Sequence, residues 1–122
     1  MNALKIIQIT DLHLSANKST LIHDINTYES AQRIINTIKD KHNDLNALVL
    51  TGDLVMDESH EGYEHLSALL KPIGCPIFLV PGNYDSLTEL DLSKITTNKI
   101  VICNNSKLVK VTLPAICYEV IF

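Results

Sequence analysis

The sequence predicts an α/β fold: a β-α-β-α-β unit whose parallel or mixed sheet is flanked by helices. Three observations predict it. Apolar, β-branched runs recur at residues 4–9, 47–50 and 77–80. The two intervals between them carry apolar residues at helical rather than strand spacing. Each run also ends in a polar or glycine-containing string, Asp11-Leu12-His13, Gly52-Asp53 or Gly82-Asn83. Alternating strands and helices are the pattern of a parallel sheet built by crossovers that are almost always right-handed. The 122 residues suit a single domain, 1–122, and a chain of that size buries roughly two-thirds of its unfolded surface.

The first strand, residues 4–9, is interrupted by Gln8 and stopped at Asp11. Asn26 followed by Glu29 is a helix start, because a side-chain oxygen at the cap satisfies a free N–H of the first turn. Tyr28, Ala31, Ile35 and Ile38 then repeat at helical spacing, and Lys39 and Lys41 sit near the end, where cations suit the dipole. A helix over about 27–41 follows. Residues 47–50 are apolar without interruption, as a parallel strand covered on both faces should be. The next helix begins near Ser59, places Tyr63, Leu66 and Leu70 on one face, and is stopped by Pro72 and Gly74. Residues 77–80 are the third strand. Beyond Gly82 the pattern predicts a short helical segment over 86–92 and strands at 100–102, 108–113 and 116–122, separated by turn signals at Asn104-Asn105-Ser106 and Pro114.

Composition narrows the function classes. Ten basic against fourteen acidic residues leave a net charge of −4, with no basic stripe to neutralise a nucleic-acid backbone, so duplex DNA or RNA is not an expected partner. The first apolar run is too short for a signal sequence or a membrane span, and the expected location is cytoplasmic with no membrane partner. Cys75, Cys103 and Cys117 are odd in number and lack C-x-x-C spacing, which reads as buried reduced thiols rather than a disulfide frame or zinc knuckle. The absence of G-x-G-x-x-G and G-x-x-x-x-G-K-[ST] strings argues against dinucleotide and P-loop sites, while a Rossmann-like domain or receiver-like module whose acidic loops hold one Mg ion stands as a separate reading.

The strand-end strings carry chemistry. If the three strands are parallel neighbours, the loops leaving their carboxyl ends line one crevice, and Asp11, His13, Asp53 and Asn83 converge. Asp11 and His13, two residues apart, can face the same side and hold one divalent ion. Asp53 is the natural bridge to another, and Asn83 adds a neutral oxygen suited to Mn, Fe or Zn. Paired ions of this kind clamp the attacking and leaving oxygens of phosphate esters. Gly52 and Gly82 allow the sharp exits and close approach such a site needs. Taken singly, D-x-H is an ordinary loop or cap, and Gly-Asp or Pro-Gly-Asn an ordinary turn. Three donor-bearing turns at three consecutive strand ends are a different matter. His23 lies in the loop before the first helix and is a candidate substrate contact; His42, His60 and His65 read as surface residues near helix ends or faces.

Ile9-Thr10-Asp11-Leu12-His13-Leu14, Leu50-Thr51-Gly52-Asp53-Leu54 and Val80-Pro81-Gly82-Asn83-Tyr84-Asp85 resemble, in letters and spacing, the first three motifs of the calcineurin-like metallophosphoesterases. Within that superfamily the chain is most similar to the bacterial class III cyclic-nucleotide phosphodiesterases. The resemblance covers roughly residues 4–92. It implies half of a four-layer α/β/β/α sandwich. It also implies two divalent ions (Mn, Fe or Zn), with Asp11 and His13 on the first, Asp53 bridging and Asn83 on the second, and hydrolysis of phosphodiesters such as 3′,5′-cyclic AMP by a hydroxide held between the metals. Asn83 would also contact substrate. Tyr84 stands where the family has a histidine that contacts phosphate and assists the leaving group, and Asp85 is the residue that orients it.

Within this resemblance two readings of the chain stay open. All five histidines precede Asn83, and the sequence ends inside the apolar stretch Tyr118-Glu119-Val120-Ile121-Phe122. These features read as the amino-terminal half of a longer domain, without the later histidine motifs that complete both metal shells in the family. One reading is a phosphoesterase acting on a small phosphodiester or cyclic nucleotide. The other is a non-catalytic remnant that binds phosphate or nucleotide weakly or associates with another chain, since an open edge and an apolar sheet face favour self-association.

Overall fold

In the computed structural model, residues 4–82, 85 and 99–102 are described in full, and residues 108–113 and 116–121 as strand backbone. In chain order the elements are β1 (Ile6–Thr10), β2 (Leu21–Ile22), β3 (Ile25–Asn26), α1 (Thr27–Lys41), β4 (Ala47–Thr51), α2 (His60–Leu70), β5 (Ile77–Val80), β6 (Ile100–Ile102), β7 (Leu108–Leu113) and β8 (Ile116–Ile121). Four strands make one sheet in the order β1-β4-β5-β6, every pair parallel. β7 and β8 form a separate antiparallel pair.

The expected β-α-β-α-β unit is present, and α1 and α2 are its two crossovers. Asn26 caps α1 by accepting the Glu29 N–H at 3.0 Å, and Ser59 caps α2 by accepting the Gly62 N–H at 3.1 Å. Both helices pack on the same sheet face. Strand register puts Ile7, Leu48, Ile77 and Ile100 in one row and Ile9, Leu50, Leu79 and Ile102 in the next. Those rows meet Ala31, Ile35 and Ile38 of α1 and Tyr63, Leu66, Leu69 and Leu70 of α2 in a single hydrophobic core. The alternate residues, Gln8, Val49, Phe78 and Val101, lie on the opposite face, as the two-residue period of a strand requires. No helix among the described residues is long and apolar enough to cross a membrane.

Three details differ from the expectation. β1 ends at Thr10 and β4 at Thr51, each one residue beyond the apolar run, because ladder hydrogen bonds continue through threonine as readily as through isoleucine. β1 begins at Ile6 rather than at residue 4. A small hairpin, β2 with β3, precedes α1, pairing Ile22 with Ile25 across His23 and Asp24. Both turn residues are left-handed, with φ of 50° and 64°, as a two-residue hairpin of matching twist demands. The segment expected to be helical over 86–92 lies outside the described residues.

Candidate metal centre

Because β1, β4 and β5 are adjacent and parallel, their carboxyl ends coincide, and pairing runs on past them. The Asp11 N–H donates to Thr51 O at 3.2 Å, the Gly52 N–H to Val80 O at 3.0 Å, and the His13 and Leu14 N–H groups to Asp53 O and Leu54 O at 3.0 Å each. Leu14 and Val55 form a further parallel bridge. The first two donor-bearing loops are thus zipped together rather than merely neighbouring.

Asp11 and His13 face one another for a reason that strand alternation did not predict. Both are left-handed, with φ of 58° and 48°, while Leu12 between them turns into the core at 7% exposure. Such conformations cost about 1–3 kcal/mol each and persist where the surroundings over-determine them. Here the zipped hydrogen bonds do so, together with the Thr27 hydroxyl, which donates to His13 O at 2.9 Å from the first turn of α1. The Thr10 hydroxyl donates to Asp11 Oδ2 at 2.5 Å. Gly52 is left-handed at φ 71°. Gly82 is needed for another reason: a Cβ there would lie 2.5 Å from Asp53 Oδ1 and 2.9 Å from Gly52 C, so the chain leaving β5 passes directly against the second loop.

The outcome is a group in which Asp11, His13 and Asp53 each present one donor atom within 4.8 Å of the others. His13 Nε2 is 3.6 Å from Asp11 Oδ1. Two carboxylates and an imidazole are a hard-to-borderline donor set suited to a first-row divalent ion, and metal–ligand distances of about 2.0–2.2 Å span nearly the whole of that spacing. The donor set therefore fits a divalent ion with small side-chain adjustments. Asn83 and Tyr84 lie outside the described residues; Gly82, the residue before Asn83, touches Asp53.

Asp85 is placed behind this group. Its Oδ2 accepts the Leu54 N–H at 2.9 Å and the Gly82 N–H at 2.8 Å; its Oδ1 accepts the Val55 N–H at 2.9 Å and the Tyr63 hydroxyl at 2.8 Å. Sequence reasoning placed Tyr63 only on a helix face. A fully buried tyrosine signals that its hydroxyl has a partner, but nothing in the sequence names it.

The exposed His23 stands at the β2–β3 turn. With Asp11, Leu12, Ile25 and Ser30 it lines a cavity of about 280 Å³ beside the cluster. None of His42, His60 and His65 belongs to the Asp11, His13 and Asp53 group. His42 is the C-cap of α1, and His60 pairs with Glu64 at 3.0 Å. His65 is half-buried rather than at the surface: its Nε2 donates to Ala16 O at 2.9 Å and its ring meets Tyr28 edge-on at 5.9 Å. Cys75 is a half-buried free thiol whose acidity burial weakens, pushing its pKa up. The side chains of Cys103 and Cys117 lie outside the described residues.

Residues 4–116 match the family model described as calcineurin-like phosphoesterase. The chain is 38% identical over 82 residues to the 3′,5′-cyclic adenosine monophosphate phosphodiesterase CpdA of Haemophilus influenzae, a match covering 67% of this chain and 30% of that protein. It is 35% identical to the protein of the same name from Escherichia coli K12, with the same coverage. A 3′,5′-cyclic-nucleotide phosphodiesterase of Nostoc is 34% identical over 88 residues, 72% of this chain and 33% of that one. The chain spans about a third of the length of the curated relatives it matches.

Proposed function

This chain belongs to the calcineurin-like phosphoesterase family, and on that premise we propose that it is a metal-dependent phosphoesterase acting on small phosphodiesters such as 3′,5′-cyclic AMP. The convergence of Asp11, His13 and Asp53 at the carboxyl ends of adjacent parallel strands is the observation that carries this reading. Asp11 and His13 would hold one divalent ion, Asp53 would bridge to a second, and the amide oxygen of Asn83 would complete the second on this chain's side. Such ions, Mn, Fe or Zn, polarise phosphoryl oxygens and lower the pKa of water.

The remaining roles fall to protein groups. Tyr84 replaces the family histidine, and a phenol with a pKa of about 10 donates a hydrogen bond to a phosphate oxygen while staying neutral near pH 7. His23, which lines the same cavity as Asp11, would contact the part of the substrate that lies away from the metals.

The test is hydrolysis of bis(p-nitrophenyl) phosphate and of cyclic AMP by the purified chain with added Mn, beside Asp53→Ala. Turnover that disappears in the variant supports the proposal. Turnover that survives it, or none in either protein, removes it. A second reading keeps Asp11, His13 and Asp53 as a binding group without catalysis. On that reading the chain binds phosphate or nucleotide without hydrolysing it, and saturable binding without turnover would establish it.

A further inference from the structure

We propose that Tyr63 and Asp85 form a positioning clamp that holds the two carboxyl-end loops bearing Asp53 and Asn83 in register. The metal-related part of this proposal rests on the reading just given; the clamp itself does not. Four donors from three separate segments converge on one carboxylate: Gly82 from its own turn, Leu54 and Val55 from the loop after β4, and the Tyr63 hydroxyl from α2. The Asp85 N–H donates to Gly82 O at 3.2 Å, closing the turn that aims the side chain back at these partners. Leu54 directly follows Asp53, and Gly82 directly precedes Asn83. The carboxylate therefore grips the main chain on either side, next to Asp53 and next to Asn83.

A carboxylate suits this role. Its two oxygens offer about four lone-pair sites and no hydrogen, matching the four donors. Asparagine keeps one oxygen and turns an NH2 toward N–H groups, so it loses about half of the set. Tyr63 supplies rigidity: its ring is fully buried in the core between α2 and the sheet, and its hydroxyl reaches Asp85 Oδ1 at 2.8 Å. The packing of α2 is thereby connected to the spacing of the two loops. With these four partners Asp85 acts as a positioning residue for the loops.

The experiment compares the 122-residue chain with Asp85→Asn, Tyr63→Phe and Leu70→Ala. The last is a core control on the same helix, at a fully buried position outside the clamp. Two quantities are read: amide hydrogen exchange at each residue, and Mn²⁺ affinity by titration at a temperature where every protein is folded. In Asp85→Asn the Leu54, Val55 and Gly82 amides should exchange at least about ten-fold faster while the β4–β5 ladder stays protected. Mn²⁺ affinity should fall about ten-fold, the scale seen when groups behind metal ligands are removed. Tyr63→Phe should show the same pattern several-fold more weakly, and Leu70→Ala should melt earlier with parental Mn²⁺ affinity.

Parental exchange at the three amides in both Asp85→Asn and Tyr63→Phe overturns the clamp. Faster exchange with parental Mn²⁺ affinity overturns its role in the metal group. If the parent itself binds no Mn²⁺, the metal reading fails instead, and the exchange pattern alone decides whether the clamp holds the loops. Should Asp85→Asn fail to fold, Tyr63→Phe, which removes one hydroxyl, decides both questions.

Discussion

Adding a single methyl group at Gly82 tests whether the third loop is seated by contact with the second. A Cβ at that position would meet Asp53 Oδ1 at 2.5 Å and Gly52 C at 2.9 Å, as well as Asp53 N. Ordinary contact begins at 3.4 Å, so the gap must open by about 0.9 Å at the carboxylate and by slightly more at Asp53 N, the tightest of the three contacts. The backbone cannot yield by rotating a side chain, since Gly52 and Asp53 are fixed by ladder hydrogen bonds to β5 and to the Asp11 loop. Gly82→Ala should therefore displace the third loop by about one ångström. Overpacking of this kind destabilises by about 1–3 kcal/mol. A misplacement near 1 Å at reacting groups lowers turnover about a hundred-fold.

The assay pairs thermal melting with Mn²⁺ titration and hydrolysis of bis(p-nitrophenyl) phosphate. Gly74→Ala is the matched control, because nothing lies within 4 Å of a Cβ there. If Gly82→Ala melts, binds Mn²⁺ and turns over like Gly74→Ala, the close seating of the third loop on the second is wrong.

The remaining predictions concern the scaffold. Asp57 accepts the Ala16 N–H at 3.1 Å and both the N–H and hydroxyl of Ser59, at 3.2 and 2.6 Å. Burial pushes its pKa up, but these hydrogen bonds outweigh it and hold the carboxyl below its ordinary 3.8. The folded value is the lower one, so this contribution is complete above the ordinary value and fades as pH falls through the folded value. Asp57→Asn should flatten the acid limb of urea midpoints measured between pH 2 and 6, and an unchanged limb would remove the assignment. Asn26→Ala should cost about 1 kcal/mol by loss of the α1 cap, whereas Asn26→Gly should cost only a few tenths; equal urea midpoints for parent and alanine variant would show the cap to be idle.

Much of the fold was legible because local and global signals agree. The Asn26 cap, the Tyr28, Ala31, Ile35 and Ile38 stripe and the terminal lysines delimit α1 at Thr27–Lys41, as read from the sequence. The unbroken apolar runs mark β4 and β5 because strands in the middle of a parallel sheet are covered on both faces. The β2–β3 hairpin was not legible: the left-handed turn positions are filled by His23 and Asp24, where glycine or asparagine would have given the signal. At the metal group, the residue types were legible but the backbone that presents them was not. The sequence pattern suggested extended alternation at Asp11 and His13, whereas two left-handed residues turn them together. Tyr63 was legible as core and invisible as a hydrogen-bond donor, because its partner lies 22 residues away and no local rule connects them.

The left-handed backbone at positions 11 and 13 also limits which ligands this loop can carry. Among side chains that bind hard or borderline divalent ions, aspartate and histidine belong to the few that enter this region readily, several-fold more often than other residues. Glutamate keeps the charge of aspartate and cysteine supplies a metal-binding sulfur, yet both enter this region less readily. Backbone and chemistry therefore favour the same two letters, and Asp11→Glu would add conformational cost even though it preserves the carboxylate. In this loop the alphabet of usable donors is set first by the main chain and only then by the metal.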